Sequence, residues 1–116
     1  MIDRWAEAVF EACRAYGGVT EKQPWGEGET AFQVGGRTFA FVVHGEGCSV
    51  SAKPEAGERD AFLALPGFEP APYLARHGWL RIRVADDDGL ARARLLIDQS
   101  YGLFARATQR SRRRRD

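Results

Sequence analysis

Two adjacent glycines, Gly35-Gly36, stand between two short apolar runs, Ala31-Phe32-Gln33-Val34 and Thr38 to Val43. A tight turn that closes a hairpin calls for positive φ at its central positions, which glycine adopts without steric cost. The two runs are therefore read as antiparallel partners. A second turn, His44-Gly45-Glu46-Gly47, leads into Cys48 to Lys53, where Cys, Val and Ala alternate with Ser, Ser and Lys. A period of two sends one set of side chains to a covered face and the other to solvent. The middle of the chain thus predicts three consecutive antiparallel strands that need a cover.

Helical patterns on either side supply it. Trp5, Ala8, Val9, Ala12, Cys13 and Tyr16 form one stripe at helical spacing, with Asp3 to cap its start and Gly17-Gly18 to end it. Residues 19–29, with Pro24, Gly26 and Gly28, read as a loop. Pro54 suits the first turn of a short helix over Glu55 to Leu65. Pro66, Pro70 and Pro72 hold the next stretch in loop geometry, followed by a short strand at Tyr73 to Ala75 and a stronger one at Trp79 to Val84. One of Asp86, Asp87 and Asp88 caps a last helix to about Thr108, with Leu90, Ala93, Ile97, Tyr101 and Phe104 on its buried stripe and Leu96, Ser100 and Leu103 beside it. The expected fold is α+β, a two-layer sandwich of an antiparallel sheet with helices on one face, in the order α-β-β-β-α-β-β-α.

A chain of 116 residues fits one domain, expected over residues 1–108, with 109–116 as a disordered, arginine-rich tail. No apolar stretch approaches the roughly 18 residues of a membrane span, and the polar start does not read as a signal peptide. A soluble bacterial protein of the cytoplasm is the expectation, with Cys13 and Cys48 as buried, reduced thiols. Charge is unevenly spread. Six arginines and one aspartate between Arg106 and Asp116 leave +5 there and −4 on the rest of a chain whose net charge is +1. A mildly acidic body is a poor polyanion surface, which leaves the tail or a local patch as a nucleic-acid contact.

The order Thr20-Glu21, Pro24-Trp25-Gly26 and Phe32 to Ala40, then Lys53-Pro54-Glu55, Pro72-Tyr73, His77-Gly78-Trp79 and Ile97 to Tyr101, resembles the MmcQ/YjbR family across roughly residues 5–105. The resemblance implies an α/β sandwich of the kind seen in frataxin-like proteins and secretion chaperones. It also implies a DNA-binding label attached to a double-wing shape, an analogy of fold. It brings no catalytic residues. The Tyr-His-Met-Asn-Lys stretch usual in the family is here Tyr73-Leu74-Ala75-Arg76, without the histidine and the asparagine.

Several residues are candidates for function. Trp79, Arg81 and Arg83 alternate along one strand and share a face, with Lys53, Arg76, His77 and Arg37 expected nearby. An aromatic platform beside guanidinium groups suits single-stranded nucleic acid; an ordinary solvent face, with Arg81 and Arg83 paired to acids across strands, accounts for the same pattern. Arg112, Arg113, Arg114 and Arg115 suit phosphates, or simply solubilise a terminus. Trp25, Tyr73 and Trp79 are read as the lining of an aromatic pocket. His44, Glu46 and Cys48 alternate but lack a fourth zinc ligand, so no metal is assigned. Neither histidine has an evident catalytic partner, and no nucleophile or phosphate-loop motif is present, so neither an enzyme nor a cofactor is expected. The sequence leads to a non-enzymatic binding module. Its partner is DNA in a weak, salt-sensitive mode, or alternatively a protein or peptide, or a small ligand, with no membrane role.

Overall fold

The structure, a computed structural model, describes residues 3–115, and side chains for residues 3–113. Its first helix, α1 (Arg4–Arg14), begins at Asp3, whose carboxylate accepts from the Trp5 N–H at 2.7 Å and satisfies one of the free amides of the first turn. The helix buries Ala6, Val9, Phe10 and Cys13. That stripe is turned slightly from the expected one, with Trp5 and Tyr16 at its margins.

Strands β1 (Val19–Lys22), β2 (Glu29–Val34), β3 (Arg37–Val43) and β4 (Ser49–Ala52) follow. Strand β1 occupies part of the stretch expected to be loop. It pairs with β2 from Val19↔Val34 to Lys22↔Ala31. As an edge strand burying little beyond Val19, it lacks the alternation that identifies a strand in sequence. The Gly35-Gly36 turn joins β2 to β3 as expected, with φ of 60° and 80°.

The short helix α2 (Arg59–Leu63) covers less than the expected Glu55 to Leu65. Gly57 sits at φ 85°, and the Glu55 amide donates to Gln99 Oε1 at 2.9 Å, so residues 55–57 are drawn into a turn against the last helix. Strand β5 is Phe68–Pro70, earlier than the expected Tyr73 to Ala75, and residues 75–77 form a single 3₁₀ turn. An edge strand tolerates Pro70 because one side of it needs no donor. Strand β6 (Leu80–Arg83) leads to α3 (Asp87–Arg115). Asp86 caps α3, accepting from the Gly89 N–H at 2.7 Å. Helix α3 continues past Thr108, where the sequence predicted a disordered segment. No proline or glycine interrupts residues 103–115, and arginines are good helix formers that favour the negative end of the helix dipole. Asp116 lies outside the described residues.

Among the described residues the six strands form one antiparallel sheet in the order β1-β2-β3-β4-β6-β5. Helices α1 and α3 lie on one face, so the fold is the α+β sandwich expected. Phe32, Val42, Val50, Leu80 and Ile82 meet Val9, Cys13, Ala93, Leu96 and Ile97 in the core. The register slips between Phe32 and Gln33, leaving Phe39 as the extra residue of a β-bulge. Phe39 and Ala40 are consequently both buried despite being neighbours.

Candidate functional site

The face of the sheet away from the helices carries the candidate site. Register places Lys22, Ala31, Phe41, Ser51, Arg81 and Glu69 side by side across it. The next row holds Glu29, Val43, Ser49 and Arg83. Serines on β4 lie between larger side chains on β3 and β6, so the surface dips at its centre.

Two loops wall this dip. In the first, the Gly26 amide donates to the Gln23 carbonyl and the His44 amide to that of Gly28, folding residues 23–28 back toward β3. Trp25 then leans on Phe41, with ring centroids 5.5 Å apart, and stays 68% exposed. In the second, the Leu74 amide donates to the Ala71 carbonyl at 3.2 Å, closing a turn with Pro72 and Tyr73 at its centre. Tyr73 has φ 65° and is 99% exposed. A turn with proline second and positive φ third ordinarily takes glycine or asparagine third, so a tyrosine there is held in a strained conformation without packing to justify it. Trp25, Glu29, Phe41, Val43, Ser51, Pro72, Tyr73, Leu74 and Arg81 line a hollow of about 530 Å³. That size is typical of small-molecule sites.

Of the expected pocket residues, Trp25 and Tyr73 come together here. Trp79 does not line the hollow; it is 7% exposed, and its ring lies 5.8 Å from Phe41 and 6.0 Å from Phe104. It fills the sheet's rim between the open face and α3. The expected aromatic platform therefore has no accessible Trp79. Phe41, Val43, Glu29 and Leu74 were not singled out in the sequence. The uninterrupted apolar run Phe39 to Val43 was the signal for Phe41 and Val43, since a strand apolar on both faces is covered on both; Glu29 and Leu74 gave no such signal.

The basic candidates do not gather into one surface. Arg81 and Arg83 share the open face, and Arg81 Nε donates to Glu69 Oε1 at 2.8 Å. Lys53 is half-buried and gives its backbone N–H to Ser100, while exposed Arg76 contacts His77. Arg83 lies by Gly47 at one end of β3, and Thr108 packs on Gly35 at the other. Arg110, Arg112 and Arg113 extend beyond that second end. The side chains of Arg114 and Arg115 lie outside the described residues. On the open face Glu29 and Glu69 are interspersed with Lys22, Arg81 and Arg83, so this surface is mixed in charge.

His44 is buried, 3.0 Å from the Thr30 hydroxyl and edge-on to Phe10, and serves the core. Among the described residues no group of three or more His, Cys, Asp or Glu could hold a metal ion. Burial, and secondarily Glu21, pushes the Cys13 thiol up to about 12; burial and Asp3 push Cys48 up to about 11. The thiolate is the reactive form, so neither cysteine is poised as a nucleophile. No described helix is long and apolar enough to cross a membrane.

The model of the YjbR family matches residues 14–103. Among solved structures, the chain is similar to a Deinococcus radiodurans protein (DR2400, with a DUF419 domain) at 24% identity and TM-score 0.58, covering 81% of this chain and 71% of that one. At that identity the likeness concerns the fold. No curated protein matches the chain in sequence.

Proposed function

This chain belongs to the YjbR family, and on that footing we propose that it is a non-catalytic binding module whose ligand seats in the hollow of the open sheet face. The observation that carries this reading is the display of Trp25 and Tyr73, largely exposed, around a floor made by Phe41. Large apolar side chains held out of the core at two loops cost solvation free energy that a ligand would recover. The charges on this face are mixed in sign, which favours a small or peptide ligand over a polyanion. Two buried, unpaired thiols fit a cytoplasmic setting.

A panel of small aromatic and alkyl fragments, followed by amide chemical shifts, tests the reading. Shifts are expected to cluster on Glu29, Phe41, Val43, Ser51 and Leu74 and to vanish in Trp25→Ala. Shifts scattered over the surface, or confined to α3, would count against it.

One observation favours a second reading. Because α3 stays helical to Arg115, Arg106, Arg110 and Arg113 fall on one stripe of it. Arg106 is paired with Glu55, which leaves Arg110 and Arg113 to meet phosphates. On this reading the chain binds nucleic acid weakly through its last helix. Affinity for a labelled single-stranded oligonucleotide should then fall steeply between about 50 and 200 mM salt and disappear when residues 109–116 are removed. Arg81→Glu with Arg83→Glu should leave it unchanged.

A further inference from the structure

Three aromatic rings border the hollow, and the carboxylate-bearing Glu29 lines it with them. Trp25 and Phe41 meet with their planes tilted by 39°, forming a corner, and Tyr73 lines the same space from the second loop. Glu29 sits beside Val43 on the open face. Among the described residues its carboxylate takes part in no ion pair. Arg81, which also lines the hollow, is held by Glu69, so among the described residues Glu29 is the charged lining group without an ion-pair partner.

Ring faces carry negative potential and attract cations, most strongly when the cation sheds water cheaply, as alkylated ammonium ions do. A carboxylate beside the rings adds direct Coulomb attraction. The volume of about 530 Å³ exceeds a methylated ammonium head and leaves room for the molecule that bears it. The left-handed φ of Tyr73 keeps the third ring at the rim when relaxation of the turn would be favourable.

We infer that the hollow binds a small organic cation of the quaternary ammonium class. Its alkylated nitrogen lies against Trp25, Phe41 and Tyr73, and its charge faces Glu29. The inference rests on the hollow being the ligand site and adds the chemistry of its occupant.

Choline and its neutral carbon isostere, in which a tert-butyl group replaces the trimethylammonium head, separate charge from shape. Both are titrated into the full chain while tryptophan emission and amide shifts are followed. Choline is expected to saturate at the hollow residues and to bind about tenfold more tightly than the isostere. Glu29→Gln should narrow the preference to the part that the rings alone supply. Trp25→Phe should keep the preference, and Trp25→Ala should lose binding. The wild-type comparison decides the matter even where a variant folds poorly. Equal binding of both compounds at the hollow overturns the cation assignment and leaves the hollow as a ligand site. No response from the hollow residues also overturns it, and the fragment panel then decides whether the hollow binds anything. A peptide carrying one trimethyllysine that binds more than about tenfold tighter than choline would overturn the small-molecule assignment in favour of a peptide partner.

Discussion

The Ser100 hydroxyl donates to the Phe39 carbonyl at 2.6 Å, from the middle of α3 to the bulge in β3. The bulge withdraws Phe39 from the ladder, and its carbonyl would otherwise be buried without a donor. The Ser100 Oγ in turn accepts from the Lys53 N–H at 3.0 Å, just beyond β4. One buried hydroxyl thus fastens the helix to two strands.

Ser100→Ala is expected to strand both backbone groups and lower the unfolding free energy by about 1–3 kcal/mol. Urea denaturation measures it. A loss below about 0.5 kcal/mol would mean that water or a small shift satisfies the carbonyl.

The two turn glycines should differ in sensitivity. A Cβ on Gly35 would run into the Thr108 side chain, whereas one on Gly36 meets nothing within 4 Å. Both positions have positive φ, which costs a side chain about 1–2 kcal/mol. Gly36→Ala should cost about that much, and Gly35→Ala clearly more, because Thr108 or the turn must move. Equal thermal shifts for the two variants would show that α3 does not press on the hairpin.

Tyr73→Gly should raise stability. Relief of left-handed strain, about 1–2 kcal/mol, outweighs the roughly 0.5–1 kcal/mol that glycine costs through the unfolded chain. The net gain of roughly 0.5–1 kcal/mol would accompany weaker binding at the hollow, separating display from folding. A destabilised variant would mean that the ring contributes packing instead.

Alkaline pH should weaken the fold through its thiols. Both folded values are raised above the ordinary 9.0, to about 12 for Cys13 and about 11 for Cys48. The stabilisation from keeping the thiols buried and neutral is therefore complete below pH 9.0 and is lost as pH climbs toward the folded values. Above about pH 9 the unfolded chain holds fewer protons, so unfolding free energy falls by about 1.4 kcal/mol per pH unit for each proton of difference. Tyr16, also raised by burial and by its hydrogen bond to Asp98, adds to the slope at the alkaline end. Cys13→Ala should flatten the decline measured by urea midpoints between about pH 9 and 11. An unchanged slope would remove Cys13 from the account.

The class of the fold, the Gly35-Gly36 hairpin, the Asp3 cap and the stripe of α3 were legible because each depends on neighbours within a few residues. Strand β1 and strand β5 were not. Each is an edge strand of three or four residues whose conformation comes from pairing with a distant segment. The site was half legible. Trp25 and Tyr73 were named as pocket residues from their type, but Trp79 belongs to the rim packing with Phe104. Phe41 could have been found from the uninterrupted apolar run of β3, whereas Glu29 gains its place from cross-strand register, which a single strand's pattern does not report.

By itself the order of apolar, polar and glycine residues determined one antiparallel layer under helices, because local sterics and the need to bury one face leave few other arrangements. The hollow and its unpartnered carboxylate were decided by tertiary structure alone. They exist because two loops far apart in sequence close over one row of the sheet, and because Arg81 pairs with Glu69 while Glu29, lining the same hollow, takes part in no ion pair among the described residues.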